Sequence, residues 1–79
     1  MDWRTHIVTS PDVLAGKPAV RGTRLGAEFL LGLLAAGWTP AQVLESYPSL
    51  TADALRAVFA FAAEVVHDEA LFALQPDAA

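Results

Sequence analysis

Four residues that interrupt helices, Pro11, Gly16, Pro18 and Gly22, fall within residues 4–25. Proline removes a backbone donor and fixes φ, and glycine gives up more conformational freedom on ordering than any other residue, so this density excludes a long helix. The segment must be extended chain and turns, and any helical core must come from residues beyond it. Two short runs inside it favour β-structure, His6-Ile7-Val8-Thr9 and Ala19-Val20-Arg21. A two-stranded ribbon is marginal alone, so these runs need helices or another subunit to lean on.

From Ala27 the pattern changes. Phe29, Leu30, Leu33 and Leu34 recur at helical spacing, and Gly37 stands where a C-terminal cap belongs. Thr39, Pro40 and Gln42 then form a capping-box arrangement with proline at the first helical position. This predicts a short second helix carrying Val43 and Leu44, ended at Tyr47-Pro48 because a residue before proline avoids the α region. Thr51 is a second N-cap. It opens a third helix with Leu55, Val58, Phe59, Ala62, Val65 and Val66 on one stripe, widened by Ala54, Ala57 and Phe61. A stripe that wide implies contact on two sides. His67-Asp68-Glu69 ends or kinks this helix, and Leu71, Phe72 and Leu74 form a short apolar patch before a frayed 75–79 tail.

The chain thus reads as a single domain of residues 1–79: an extended or β arm over 1–25, a helical bundle over 26–74, and the tail. With 79 residues, 54% of them hydrophobic, it cannot hide all its apolar surface alone. A homodimer or higher oligomer is expected. The absence of cysteine excludes disulfides, thiolate metal sites and a cysteine nucleophile, and no secretory signal or spanning segment is visible, so a cytoplasmic protein with no membrane partner is expected.

Charge divides the chain unequally. Residues 1–24 carry Arg4, Lys17, Arg21 and Arg24 against Asp2 and Asp12, while residues 25–79 carry Arg56 against seven carboxylates. An anion-binding surface must therefore come mostly from the first third. There, Gly16-Lys17-Pro18 and Arg21-Gly22-Thr23-Arg24 interleave cations with residues that permit close backbone approach to phosphate. The segment is not a nucleotide-binding P-loop, since Pro18 follows Lys17 where that loop needs Ser or Thr. The competing reading is a turn whose cations cap helix carbonyls or pair with Glu28 and Glu45. His6 and His67 lack ligands at metal spacing, the acidic group Glu64, Asp68 and Glu69 reads as a solvated helix end, and no nucleophilic triad is present. Neither enzyme activity nor a metal or other cofactor is expected.

Between Ile7 and Ala63 the chain resembles the prokaryotic family known as domain of unknown function 433. The likeness rests on the two glycine-flanked cation motifs, Ala36-Gly37-Trp38-Thr39 and Tyr47-Pro48-Ser49-Leu50-Thr51, in that order. The resemblance implies a small, mainly α, three-helix helix-turn-helix domain, homeodomain-like or winged-helix-like, with a short N-terminal β arm or hairpin. Some members of the family are similar to VapB-type antitoxins, which neutralise a PIN-like ribonuclease toxin and commonly bind their own operator DNA. On that reading Lys17, Arg21, Arg24 and Arg56 are the DNA-binding candidates, and Trp3, Phe61, Leu71, Phe72 and Leu74 the partner or oligomer interface. The third helix offers only Arg56 between Thr51 and Glu64, too little to read base edges, so core packing is its expected role. A toxin would be held either by cations of the first third or by the acidic C-terminal half, and the charge balance favours the second. The alternative function is a dimeric protein-interaction module without DNA binding.

Overall fold

The computed structural model describes residues 2–68. It shows a mainly helical domain of three α-helices with a short antiparallel hairpin. Strand β1 (Ile7–Val8) pairs with β2 (Ala19–Val20), with Ile7 opposite Val20 and Val8 opposite Ala19. The helices are α1 (Ala27–Ala35), α2 (Pro40–Ser46) and α3 (Ala52–Asp68). Among the described residues no helix is long and apolar enough to cross a membrane.

The helix ends arise from local chemistry. Past α1, the Gly37 N–H donates to the Leu34 carbonyl and the Trp38 N–H to that of Leu33, both at 3.1 Å, with Gly37 at φ +102°. This is the Schellman arrangement, which needs a left-handed residue at that point. At α2 the capping box is complete: Gln42 N–H donates to Thr39 Oγ1 at 3.1 Å, and Thr39 N–H donates to Gln42 Oε1 at 2.8 Å. Thr51 caps α3 by accepting from the Ala54 N–H at 3.0 Å.

The core joins hairpin to helices. Ile7 and Val20 from the strands meet Ala27 and Leu30 of α1, Val43 of α2, Leu50, and Ala54, Leu55, Ala57 and Val58 of α3. Leu30, Val43 and Val58 are its largest fully buried side chains. An edge-to-face contact between Phe29 and Tyr47, centroids 5.8 Å apart, ties α1 to the end of α2.

Part of the periodic apolar pattern lies outside this core. Phe29 is 48% exposed, Phe59 42% and Val66 56%, and Val65 is exposed as well. The sequence pattern predicts all four on buried stripes. Periodicity places residues on a face of a helix but does not say which face is covered when apolar residues run nearly all the way round.

Candidate binding surface

Residues 2–26 are held mainly by backbone hydrogen bonds. The Arg21 N–H donates to the His6 carbonyl at 2.7 Å on one side of β2. On the other side, Val20 N–H donates to the Leu25 carbonyl at 2.9 Å and Ala27 N–H to the Pro18 carbonyl at 3.0 Å. Ala19 and Gly26 form an isolated antiparallel bridge, so β2 runs between two neighbours although only one is a full strand. The Ala27 bond also gives the first N–H of α1 an acceptor, at a helix start whose Gly26 N-cap has no side chain to provide one.

Between Val20 and Leu25 the chain reverses. Thr23 N–H donates to the Val20 carbonyl at 3.0 Å, and Gly22 has φ +77°, the sign a type II turn needs at its third position. The Thr23 hydroxyl fixes the turn from within, donating to the Val20 carbonyl at 2.8 Å and accepting from the Leu25 N–H at 3.0 Å. Arg21 and Arg24 therefore flank a tightly bonded tip. Arg21 Nε donates to the Thr5 carbonyl at 3.0 Å, while Arg24 has no hydrogen-bond or carboxylate partner among the described residues. Beside Arg24 lies a groove of about 440 Å³ lined by Val8, Ser10, Val13, Ala19, Gly22 and Thr23.

The other cations stand elsewhere. Lys17 is at the far end of β2, with Nζ 3.9 Å from Glu28 Oε2, both side chains well exposed. Arg56 lies on the outward face of α3, paired with Asp53 at 3.2 Å. The four DNA-binding candidates do not sit together: only Arg21 and Arg24 belong to one turn, and of the two only Arg24 lines the groove. Lys17 and Arg21 sit at opposite ends of one short strand, a separation that sequence proximity conceals.

The interface candidates also separate. Trp3 and Phe61 pack on each other within the chain, edge to face with centroids 5.0 Å apart. Trp3 Nε1 donates to Glu64 Oε2 at 2.7 Å, and the Arg4 guanidinium lies 3.3 Å from the same carboxylate and 4.4 Å from the Trp3 ring centre. This clasp fastens the N-terminal turn Trp3–Thr5 to α3. Sequence reasoning misses it because its partners are about sixty positions apart. Leu71, Phe72 and Leu74 lie outside the described residues. Among the described residues no three His, Asp or Glu side chains gather as a metal site.

The loop before Lys17 is equally invisible to sequence reasoning. Leu14 and Ala15 have φ of 51° and 54°, and Gly16 84°, a left-handed turn that costs roughly 1–2 kcal/mol for each residue bearing a Cβ. Bonds from Gly16 N–H to the Val13 carbonyl and from Lys17 N–H to that of Leu14 hold it. It swings Leu14 over Gly26, where a Cβ would meet Leu14 Cδ1 at 3.0 Å. The only local sign of such a turn is Gly16 itself.

Residues 7–62 match the family described as protein of unknown function (DUF433). The chain belongs to this family. The crystal structure of a DUF433 member protein from Anabaena variabilis has a similar fold, with a TM-score of 0.73 and 28% identity, covering 77% of this chain and 60% of that one. The uncharacterised protein y4eO of Sinorhizobium fredii is 42% identical over 53 residues, or 67% of this chain. This DUF433 chain spans 24% of that relative's length.

Proposed function

We propose that this DUF433 protein is a non-enzymatic, antitoxin-like binding protein that works as a dimer, with α2, the turn after it and α3 as a helix-turn-helix-like unit. The observation that carries the reading is the hairpin tip, where Arg24 stands without a partner among the described residues, on a turn locked by Thr23 and beside an apolar groove. A guanidinium so placed is suited to bidentate pairing with carboxylates, such as those gathered around metal in a PIN-like ribonuclease. The same group suits a phosphate of operator DNA. Arg4 is a poorer choice for either task because Glu64 and the Trp3 ring already engage it.

This favours the cationic route to a toxin over the acidic C-terminal one, whose apolar anchor lies outside the described residues. DNA contact falls to Arg21 and Arg24 and not to α3, which presents Arg56 paired with Asp53. The second reading, a dimeric protein-interaction module without DNA binding, is favoured by the apolar outward face of α3.

The test begins with the gene's neighbours: an adjacent reading frame for a small nuclease-like protein is expected, and it is then co-expressed with this chain. Arg24→Ala, combined with Arg21→Ala, is expected to release the nuclease activity that the wild type suppresses. Any binding to upstream DNA should lose about one unit of salt dependence for each phosphate contact removed. Full neutralisation and unchanged DNA binding by the double variant would overturn the reading.

A further inference from the structure

Between Leu25 and Leu55 the sequence contains no Lys, Arg or His, while Glu28, Glu45 and Asp53 fall inside that stretch. Two of these three carboxylates have a cation beside them in the fold, Lys17 at 3.9 Å from Glu28 and Arg56 at 3.2 Å from Asp53. Glu45 has no ion-pair partner among the described residues.

Glu45 lines a cleft of about 470 Å³ between the C-terminal end of α1 and the outward side of α2. From α2 come Gln42, Glu45 and Ser46, spaced three and four residues apart and so on one side of the helix. The facing wall is Ala36, Gly37 and Trp38. Both walls are fixed. The bonds that close α1 set the course of Gly37 and Trp38, and the capping box ties the start of α2 to Thr39, the next residue.

Three features of this cleft favour positive charge. The first is the Glu45 carboxylate. The second is the end of α1, where the Ala36 carbonyl accepts no backbone hydrogen bond from any described residue and no basic residue stands in the last turn to offset the helix dipole. The third is the half-exposed ring of Trp38, whose face attracts cations through its quadrupole.

We infer that this cleft receives a guanidinium, the side chain of an arginine carried on a basic segment of another protein. A planar guanidinium can stack on the indole while its N–H fork meets Glu45, a pair of contacts that a compact ammonium does not combine. A divalent metal ion is a poor occupant, because it needs several oxygen ligands and an indole supplies none. Nucleic acid is disfavoured by like charge, since Glu45 and the helix end repel phosphate. All six lining residues are exposed and the cleft is open to solvent, so it buries little of a free small cation, and the charge must arrive on a chain with contacts of its own. Within the chain, Arg4, Lys17, Arg21 and Arg56 are engaged elsewhere.

The cleft uses no residue of the hairpin tip, so it stands or fails apart from the proposed function. The test is a titration of the full chain at low ionic strength with a capped tripeptide carrying arginine at its centre, followed by NMR. The Trp38 indole N–H and the amides of Gly37 and Glu45 should shift and saturate, while the Trp3 indole N–H stays in place. Citrulline in place of arginine keeps the shape and loses the charge, and should abolish the shifts; lysine should weaken them. Glu45→Gln and Trp38→Leu, both at exposed positions, should each lower affinity about fivefold with helical circular dichroism unchanged, read on the amides of Gly37 and residue 45. Arg24→Ala should leave the titration as it is.

The inference is overturned if Trp38 shows no saturable shift, or if the citrulline or lysine peptide binds as well as the arginine one. Tighter binding of spermidine than of the arginine peptide overturns it in favour of a free polyamine. A Trp38 shift that arises on concentrating the protein alone and vanishes with Arg24→Ala overturns it in favour of a second copy.

Discussion

Residues 2–26 and residues 27–68 hold their shapes by different means. The first region contributes Ile7, Ala19 and Val20 to the buried core, and its course is set by backbone bonds and by the positive φ of Leu14, Ala15, Gly16 and Gly22. The second contributes Ala27, Leu30, Val43, Leu50, Ala54, Leu55, Ala57 and Val58, and its course is set by side-chain burial between well-capped helices. Burial is non-directional and tolerant; a hydrogen-bonded turn is neither. The helical half therefore supplies the stability, and the hairpin half supplies a turn of fixed course on which Arg21 and Arg24 are mounted.

The hardest test of that division is Leu30→Ala. Leu30 has no exposed surface and belongs to the core shared by all three helices and both strands. The lost methyl groups and the cavity left behind should cost about 3 kcal/mol in urea unfolding. Because Ile7 and Val20 join the same core, helical circular dichroism and Trp3 fluorescence, the latter read on a Trp38→Phe background, should report one transition. Two separated transitions would show that the halves are independent units and break the comparison.

A smaller effect is expected within the hairpin. At Gly22 an added Cβ would meet nothing within 4 Å, so Gly22→Ala carries only the backbone cost of φ +77°. That cost is about 1–2 kcal/mol. Hydrogen exchange should quicken at Thr23 and Leu25, whose amides close the turn, while amides in the middle of α3 keep their protection relative to global stability. Equal acceleration throughout would mean that the turn is as central to stability as Leu30.

The same division explains what can be read from the sequence. Helix limits are legible because their causes are local: Thr39 and Gln42, Thr51, and Gly37 each act within a few residues of where they stand. The strand residues are legible too, since Ile7, Val8, Ala19 and Val20 sit between turn formers. Their pairing with each other is not, because register depends on contacts that no local pattern encodes. The left-handed turn at Leu14 and Ala15 gives no signal, as neither residue favours that conformation. The cations of the candidate site are visible in the sequence, but their arrangement in space is not. Lys17, Arg21, Arg24 and Arg56 share a charge, and only the fold shows that Lys17 and Arg56 are paired with carboxylates away from the turn that carries Arg21 and Arg24. Trp3 and Phe61 are both apolar residues of the expected interface, and only the fold shows that they pack on each other.

The smallest effect concerns the contact that couples the two halves, the clasp of Trp3 and Arg4 on Glu64. Its carboxylate does two things, accepting from Trp3 Nε1 and pairing with Arg4, and they can be separated. Glu64→Gln keeps a carbonyl acceptor for the indole and removes the charge. The Arg4 and Glu64 side chains are 63% and 40% exposed, so water screens the pair. Its loss should change stability by no more than about 0.5 kcal/mol. Glu64→Ala removes the acceptor as well and should cost about 1 kcal/mol, with Trp3 emission shifting toward that of a solvated indole. The measurement is made on a Trp38→Phe background, so that Trp3 is the sole tryptophan emitter. If Gln proves as damaging as Ala, the halves are joined by charge and should loosen in high salt. If neither substitution matters, the edge-to-face packing of Trp3 on Phe61 is enough to hold the N-terminal turn to α3, and burial governs that junction as it governs the helical half.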